Sequence, residues 1–542
     1  MSQPGRPAPA TGDSQVAPLL TCSRKRKIEE GIVALAIANC CFVQVWFDLL
    51  KFGGHYLRKQ PVLRVELVAL AINILGLALI IWLGMAACKR FRGGILSLVL
   101  NLVFLGLLII PVEFIRMQLN EVWGVDLSPF LQRPIVRLSF LAVCALVIWK
   151  HRQVSRVAAM VVGVTFPMAL FNIVKIILLC LNVVDLNECN SSVPLPQVFN
   201  LRQGQPRVLW IIFDETDYRL AFEERPAGVK LPEFDRLRKE SLFASEAHEP
   251  GDGTIISMPA LISGRSLLAV EVDGCNLLLT QRGMREKTVW GVLPSVFSQA
   301  RDIGVNTALV GWLHPYARVL AGSLNYCSWY SYPSFQPARS TTLGGSIQQQ
   351  VTSLAWRFHA RQLFINICKD SLGDADSTVV NPIYGLILLH LPPPHGPFVF
   401  LPEKNVLSPV GSSSPDHYFN NLALADHELG ELRQSLEISG LKSNTWIILS
   451  SDHSWRRSKT YDGRRDYRVP FIVKAPVDEA AITYSRPFNT VLTHDLILSI
   501  LRGEVTNQPN ASTWLDIHGK LQSPADINFE TNIQNRLISS HD

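Results

Sequence analysis

The chain carries two hydrophobic rhythms. Before residue 185, apolar residues fall in long runs at about 31–50, 65–87, 94–115, 134–149 and 157–184. Each run reaches, or comes near, the roughly 17–25 residues that a helix needs to cross a bilayer. Five in succession predict an α-helical membrane module of about five transmembrane helices rather than a set of buried core helices. After residue 205 the runs shorten. Arg207–Phe213, Thr307–Val310, Tyr384–Leu389, Thr445–Leu449 and Pro470–Val473 read as strands buried on both faces, with helices such as Leu231–Glu240, Ser257–Ile262 and Tyr418–Leu436 between them. That alternation predicts an α/β domain whose mainly parallel central sheet is covered by helices on both faces.

These rhythms divide the chain into a cytoplasmic tail at 1–29, rich at first in Pro, Ala, Gly and Ser, and a membrane module at 30–185. A polar linker at 186–205, the α/β domain at 206–505 and a polar C-terminal tail at 506–542 complete it. With 48% hydrophobic and only 18% charged residues, the chain is too apolar to be disordered as a whole. Its formal charge of +6 is not evenly spread: residues 1–185 carry a net +10 and the remainder a net −4. The excess therefore reports topology, not a nucleic-acid partner.

Basic residues beside the runs set the expected orientation. Arg24 to Lys27, Lys89, Arg90, Arg92, Lys150, Arg152 and Arg156 lie on one side, ten in all, against seven on the other. The N-terminus is expected inside and the α/β domain outside. Lys175 lies within the fifth run, where an intramembrane charge is costly. It is expected to snorkel, to meet a lipid phosphate or to pair with Glu113, and Pro167 is expected to kink the same helix. Cys189, Cys275, Cys327 and Cys368 would face an oxidising exterior, where one or two disulfides are expected.

Chemistry is expected where strands end, because ligands of parallel sheets bind beyond their carboxyl ends. Asp214 and Glu215 close the first strand, and Asp452-His453 follows the strand at 445–449. Carboxylates and an imidazole gathered at strand ends suit a divalent cation. No GxGxxG, Walker loop or GxSxG elbow is present.

Several ordered segments resemble the sulfatase and alkaline-phosphatase superfamily over most of residues 206–505. Val208–Glu215 resembles that family's first strand with its two acidic metal ligands. Thr254–Gly264 resembles the nucleophile segment C-x-P-S-R-x-x-L-x-T-G, with Thr254 at the position of the cysteine. Gly304–His314, His390–Pro397, Tyr418–Asp426, Ser451–His453 and Arg468–Pro470 follow in the family's order, with Lys459 nine residues before Arg468. The departures matter as well. Threonine cannot be the precursor of formylglycine, Met258 replaces the motif's arginine, and Trp312 replaces its lysine. A threonine nucleophile behind several membrane spans resembles the lipoteichoic acid synthase-like and phosphoethanolamine transferase-like enzymes of bacterial envelopes. Those usually have a single Glu where Asp214-Glu215 stands.

The resemblance implies a membrane-bound enzyme on the outer, periplasmic or extracellular, face of a bacterial cytoplasmic membrane. It would move a phosphoethanolamine or phosphoglycerol head group from a phospholipid donor to an envelope glycan or lipid acceptor. Asp214, Asp452 and His453 are expected to hold a divalent cation (Zn, Mn, Mg or Ca), with Glu215 as a candidate fourth ligand and the Thr254 hydroxyl bound as alkoxide. His314, His395 and Lys459 are expected to stabilise phosphoryl oxygens or protonate the leaving group. His390 is expected only to cap its strand. Two other readings stand beside this one: a phosphate or sulfate ester hydrolase with the same nucleophile, and a non-catalytic envelope-binding protein.

Overall fold

A computed structural model describes residues 16–50, 56–59, 62–90, 95–123, 133–181, 195–200, 204–331, 340–410 and 414–519. The chain forms two compact units. One, helical, comprises Met1–Leu50, Val62–Asp185 and Arg339–Leu354; the other comprises Lys51–Pro61, Leu186–Ala338 and Ala355–Asp542. Most of the expected N-terminal tail, Cys189 and residues 520–542 lie outside the described residues.

Among the described residues of the helical unit, two helices are long and apolar enough to cross a membrane, Arg64–Arg90 and Ile95–Arg116. Up to four spans result if two bent pairs each count as one: Lys27–Cys41 with Val43–Leu50, bent by 70°, and Pro134–Trp149 with His151–Gly163, bent by 97°. Five continuous spans are therefore not shown among the described residues. The reasons are local. The first run breaks at Phe42, where the Trp46 indole donates to the Asn39 carbonyl at 2.9 Å. The stretch 157–184 divides at Val164-Thr165, and Pro167 stands in the first turn of the 15-residue helix Phe166–Cys180. A proline there loses no helical hydrogen bond, so it starts the helix instead of kinking it. The Lys175 ammonium donates to the Leu50 carbonyl, and Glu113 accepts from Arg116 at 2.6 and 2.9 Å. A helix at Leu343–Ser353 also belongs to this unit: Asn73 donates to Gln350 at 3.0 Å, and Gln350 to the Glu66 carbonyl at 2.8 Å.

The second unit is built on eight strands, β1 (Arg207–Phe213), β2 (Leu242–Ala244), β3 (Thr307–Trp312), β4 (Tyr326–Tyr330), β5 (Leu386–Leu391), β6 (Thr445–Ser450), β7 (Phe471–Lys474) and β8 (Ile482–Tyr484). Their order across the sheet is β8-β2-β7-β6-β1-β5-β3-β4. All pairings are parallel except those of β7 with β6 and β2. The expected α/β class with a mainly parallel sheet is thus observed, with β7 as its antiparallel member. Strand β1 shows why its apolar run is unbroken. Val208, Trp210 and Ile212 enter one core with helices Thr254–Ser263, Val296–Asp302, Thr493–Leu501 and Gln508–His518. Leu209, Ile211 and Phe213 enter the opposite core with Pro232–Lys239, Trp356–Val379 and Tyr418–Ile438. The helix Gln508–His518, within the stretch expected as a polar tail, buries Ala511, Trp514 and Leu515.

Cys275 is disulfide-bonded, whereas Cys327 and Cys368 are free thiols. Gly311 in β3 has no room for a side chain, since a Cβ there would lie 2.3 Å from the Tyr316 ring. Gly311→Ala is expected to overpack this site and destabilise the protein by about 1–3 kcal/mol. Thermal melting checks it, and an unchanged melting temperature would show that the ring yields freely.

Candidate active site

The carboxyl ends of β1, β3, β5 and β6 converge. Register sets this directly: Ile212 of β1 pairs with His390 of β5 and with Ser450 of β6. Asp214 and Asp452 therefore leave adjacent strands at nearly the same level, with His390 beside them. One atom from each of Asp214, His390 and Asp452 lies within 4.8 Å of the others, and all three residues are buried.

Two turns carry unusual backbone. Glu215 and Leu313 have φ of 65° and 68°, the left-handed region that non-glycine residues rarely adopt. Glu215 is fixed from several directions and Leu313 by its own amide. The Glu215 amide donates to Asp452 at 3.2 Å, the Tyr418 hydroxyl donates to the Glu215 carbonyl at 2.9 Å, and Arg456 donates to its carboxylate at 3.1 Å. The Leu313 amide donates to the Tyr330 carbonyl at 2.7 Å. Such strain persists only where the surroundings over-determine it, and it concentrates at functional sites. At Leu313 the turn sends its two neighbours to the cluster: Trp312 donates its indole N–H to Asp214 at 2.7 Å, and His314 meets the Thr254 carbonyl at 2.9 Å.

Thr254 opens the helix Thr254–Ser263 after the extended Gly253. Its hydroxyl lies 3.2 Å from His453 Nε2 and 3.4 Å from Asp214 Oδ1. The tautomer of His453 follows from its other nitrogen. Nδ1 faces the Ser454 carbonyl at 2.9 Å, and a carbonyl can only accept, so Nδ1 carries the proton. Nε2 faces the Thr254 hydroxyl and also lies 3.4 Å from Asp452 Oδ2 and 3.6 Å from Asp214 Oδ1; burial lowers the pKa of this imidazole and so disfavours a proton at Nε2. His314 is fixed by the same logic: Nε2–H donates to the Thr254 carbonyl, and Nδ1 accepts from the Tyr56 hydroxyl at 2.9 Å.

The donor set fits a cation. Among the described residues, His390 Nε2 and Asp452 Oδ2 are buried without a hydrogen-bond partner, and buried polar atoms are rarely left so. Burial, with the Asp452 and Glu215 carboxylates close by, raises the Asp214 pKa well above the usual carboxylate range. Concentrated negative charge of this kind is what a divalent ion relieves. His390 is oriented by the Tyr316 hydroxyl, 2.9 Å from Nδ1, the outer partner that metal-bound histidines usually have. The expected capping role left out this juxtaposition with Asp214 and Asp452.

The remaining expected residues are placed as follows. Glu215 belongs to the Arg456 pair; burial opposes its charge, but His395 and Arg456 hold its pKa below the ordinary range. His395 is half-buried on the loop after β5, its Nδ1 2.6 Å from the Gly396 carbonyl and its ring 6.2 Å from Trp312. Lys459 is exposed on the turn Ser458–Asp462. Arg456, which the sequence did not single out, lies over Gly253: its guanidinium is 3.7 Å from where a Cβ would be. The Tyr418–Asp426 segment supports the loops. Asn421 donates to the His395 carbonyl at 2.9 Å and accepts from Val399, while Asp426 accepts from the Phe234 amide at 2.8 Å.

Burial lowers the pKa of His314 to about 3 and of His390 to about 4, against 6.5 for a free imidazole. Both are neutral in the folded protein, so below pH 6.5 the unfolded chain binds more protons than the native one. Stability then falls as pH drops from 6.5 toward 4, by about 1.4 kcal/mol per pH unit for each histidine. The melting temperature is expected to decline across that window, and less steeply in His314→Gln. Equal slopes in the two proteins would show that His314 is not buried in its neutral form.

A family model described as Sulfatase matches residues 206–502. Similar solved structures include the phosphonate monoester hydrolase of Agrobacterium radiobacter, at 15% identity and TM-score 0.37, covering 55% of this chain and 74% of that one. Another is the PsFucS1 sulfatase from Pseudoalteromonas sp., at 16% identity and TM-score 0.36, covering 55% and 68%. A third is Ps i-CgsB in complex with k-i-k-neocarrahexaose, at 16% identity and TM-score 0.41, covering 57% and 74%. No curated protein sequence matches the chain.

Proposed function

The chain belongs to the sulfatase family, and on that premise we propose that it transfers a phospholipid head group, phosphoethanolamine or phosphoglycerol, to an envelope glycan or lipid through a phosphothreonine at Thr254. The observation that carries this reading is the Thr254 hydroxyl, 3.2 Å from Nε2 of His453 and beside the Asp214–His390–Asp452 cluster. A hydroxyl so placed has a base for its proton, and it cannot become formylglycine, so an ester of the threonine itself is the intermediate available. Long apolar helices, and the basic residues flanking them, support a multi-pass protein in a bacterial cytoplasmic membrane with this domain on the outer face, where a lipid donor is at hand.

The Thr254 proton moves to His453 Nε2 while Oγ bonds to the phosphorus of the donor phosphodiester. The bond from phosphorus to the diacylglycerol oxygen breaks, and His395 is the candidate to give that oxygen its proton. An acceptor hydroxyl then attacks phosphothreonine and gives its proton to His395, the bond to Oγ breaks, and Thr254 recovers its proton from His453. A divalent cation held by Asp214, Asp452 and an imidazole would supply positive charge for the hydroxyl and the phosphoryl oxygens. Arg456, on the rim, is a cation of the protein's own beside the nucleophile's helix end.

Hydrolysis is the second reading, because the reaction that names the family uses water as acceptor and the same nucleophile would serve it. Incubation of the full-length protein with head-group-labelled phospholipid and envelope acceptors distinguishes the two. Diacylglycerol with labelled glycan or lipid is expected; free head-group phosphate would mean hydrolysis, and an intact donor would refute both for that lipid.

A further inference from the structure

We propose that Tyr56 is a positioning residue for the nucleophile, acting on Thr254 through His314; the proposal rests on the reading of Thr254 given above. Tyr56 lies in a stretch flanked in sequence on both sides by the helical unit, yet residues Lys51–Pro61 belong to the sheet-containing unit. Its side chain is fully buried there, as is that of His314. The two rings meet edge to face at 5.9 Å and 74°, and the hydroxyl reaches His314 Nδ1 at 2.9 Å. His314 Nε2 in turn reaches the Thr254 carbonyl at 2.9 Å. Because a carbonyl only accepts, the neutral ring must accept at Nδ1 and donate at Nε2. The direction is then fixed throughout: Tyr56 O–H to His314, and His314 N–H to the peptide of the nucleophile.

The segment is held in place and does not merely rest there. Lys59 donates to the Trp329 carbonyl at 3.0 Å and lies over the rings of Trp329 and Tyr330. Ser331 donates to the Leu57 carbonyl at 2.8 Å, and Arg318 donates to the carbonyls of Tyr56 and Arg58. Four described residues, 56–59, thus receive or give at least five hydrogen bonds to the unit that carries the nucleophile. Tyr56 touches no reacting atom. What it controls is the ring state of His314: without the phenol, nothing obliges Nδ1 to be the acceptor, and the ring can turn over or change tautomer. The Thr254 carbonyl then loses its donor, and the hydroxyl on the same residue shifts against His453 and Asp214.

The test uses the full-length protein in detergent with Mn²⁺ or Zn²⁺. Tyr56→Phe keeps the ring and removes only the hydroxyl. Its kcat is expected to fall about 10- to 100-fold, the cost of a misplacement near 1 Å, with KM and bound-metal content unchanged. Tyr56→Phe combined with His314→Gln is expected to be no slower than His314→Gln alone, since both act on one path. A purely structural tyrosine would lower the melting temperature and leave kcat intact, and that result, or full additivity in the double variant, overturns the proposal. An imidazole readout separates this from failure of the functional reading. In protein with ¹⁵N-labelled histidine, the His314 Nδ1 signal is expected to move in Tyr56→Phe. Should the wild type prove inactive on every donor, the reading of Thr254 fails, and this signal alone decides the relay: a shift upholds it and an unmoved signal refutes it.

Discussion

Thr254→Ala is expected to abolish head-group transfer, lowering kcat by about 10⁴-fold or more, whereas Thr254→Ser keeps measurable turnover. The reasoning is geometric. The Thr254 hydroxyl is the group that faces both Nε2 of His453 and a carboxylate oxygen of Asp214. Alanine removes that oxygen and leaves the helix Thr254–Ser263 its hydrogen bonds, which begin from the Gly253 carbonyl at 3.0 Å. Folding is therefore not the cause of the loss, and an unchanged melting profile shows it. Serine retains the oxygen but not the methyl that restricts its rotamer, so it attacks from a less fixed position. Acid quenching during turnover, followed by mass analysis of the peptide containing residue 254, should reveal the head-group phosphate on Thr254 in the wild type and none in the alanine variant. Turnover that survives in Thr254→Ala would mean that the acceptor attacks the donor directly, and the covalent route would be abandoned.

Much of this fold could be read from the chain because its strands are buried on both faces. Val208–Phe213 is an unbroken apolar run, and the observed strand, Arg207–Phe213, has the expected ends. Pro470–Val473 was legible as a strand, but its antiparallel direction was not, since direction depends on connections and partners and not on a strand's own residues. The helical half was read less well. Apolar length alone made 157–184 one span, yet a proline in a first turn and a break at Thr165 cannot be told from a kink by hydropathy. At the site, residues adjacent to strand ends were visible because sequence position placed them there. Trp312 shows the limit. In the sequence it is only a departure from the motif's lysine, and the folded turn at Leu313 is what shows the indole N–H on Asp214. Tyr56 was beyond reach for the same reason: 258 residues separate it from the imidazole that it orients.

Which imidazole completes the cation site is the second result to expect, because two histidines, His453 and His390, lie beside Asp214 and Asp452. The Asp452-His453 pair suggested His453. In the folded protein His453 Nε2 lies 3.4 and 3.6 Å from Asp452 and Asp214 but closest, at 3.2 Å, to the Thr254 hydroxyl, as a base would, whereas His390 Nε2 has no hydrogen-bond partner among the described residues and joins the same two carboxylates in one cluster. His390→Ala and Asp452→Asn are therefore expected to weaken Mn²⁺ or Zn²⁺ binding by more than about 100-fold, beyond what loss of an outer partner costs. Tyr316→Phe and Trp312→Phe remove only such outer partners, of His390 and Asp214, and should weaken binding by about 10–100-fold. His453→Ala should leave most of the affinity and remove most of kcat, because it takes away the acceptor of the Thr254 proton. Calorimetric titration of each variant with the metal, set against its turnover, reads both quantities. If His453→Ala empties the site while His390→Ala leaves it filled, His453 is the ligand, His390 does no more than cap β5, and the proton of Thr254 must leave by way of Asp214 Oδ1, 3.4 Å from the hydroxyl.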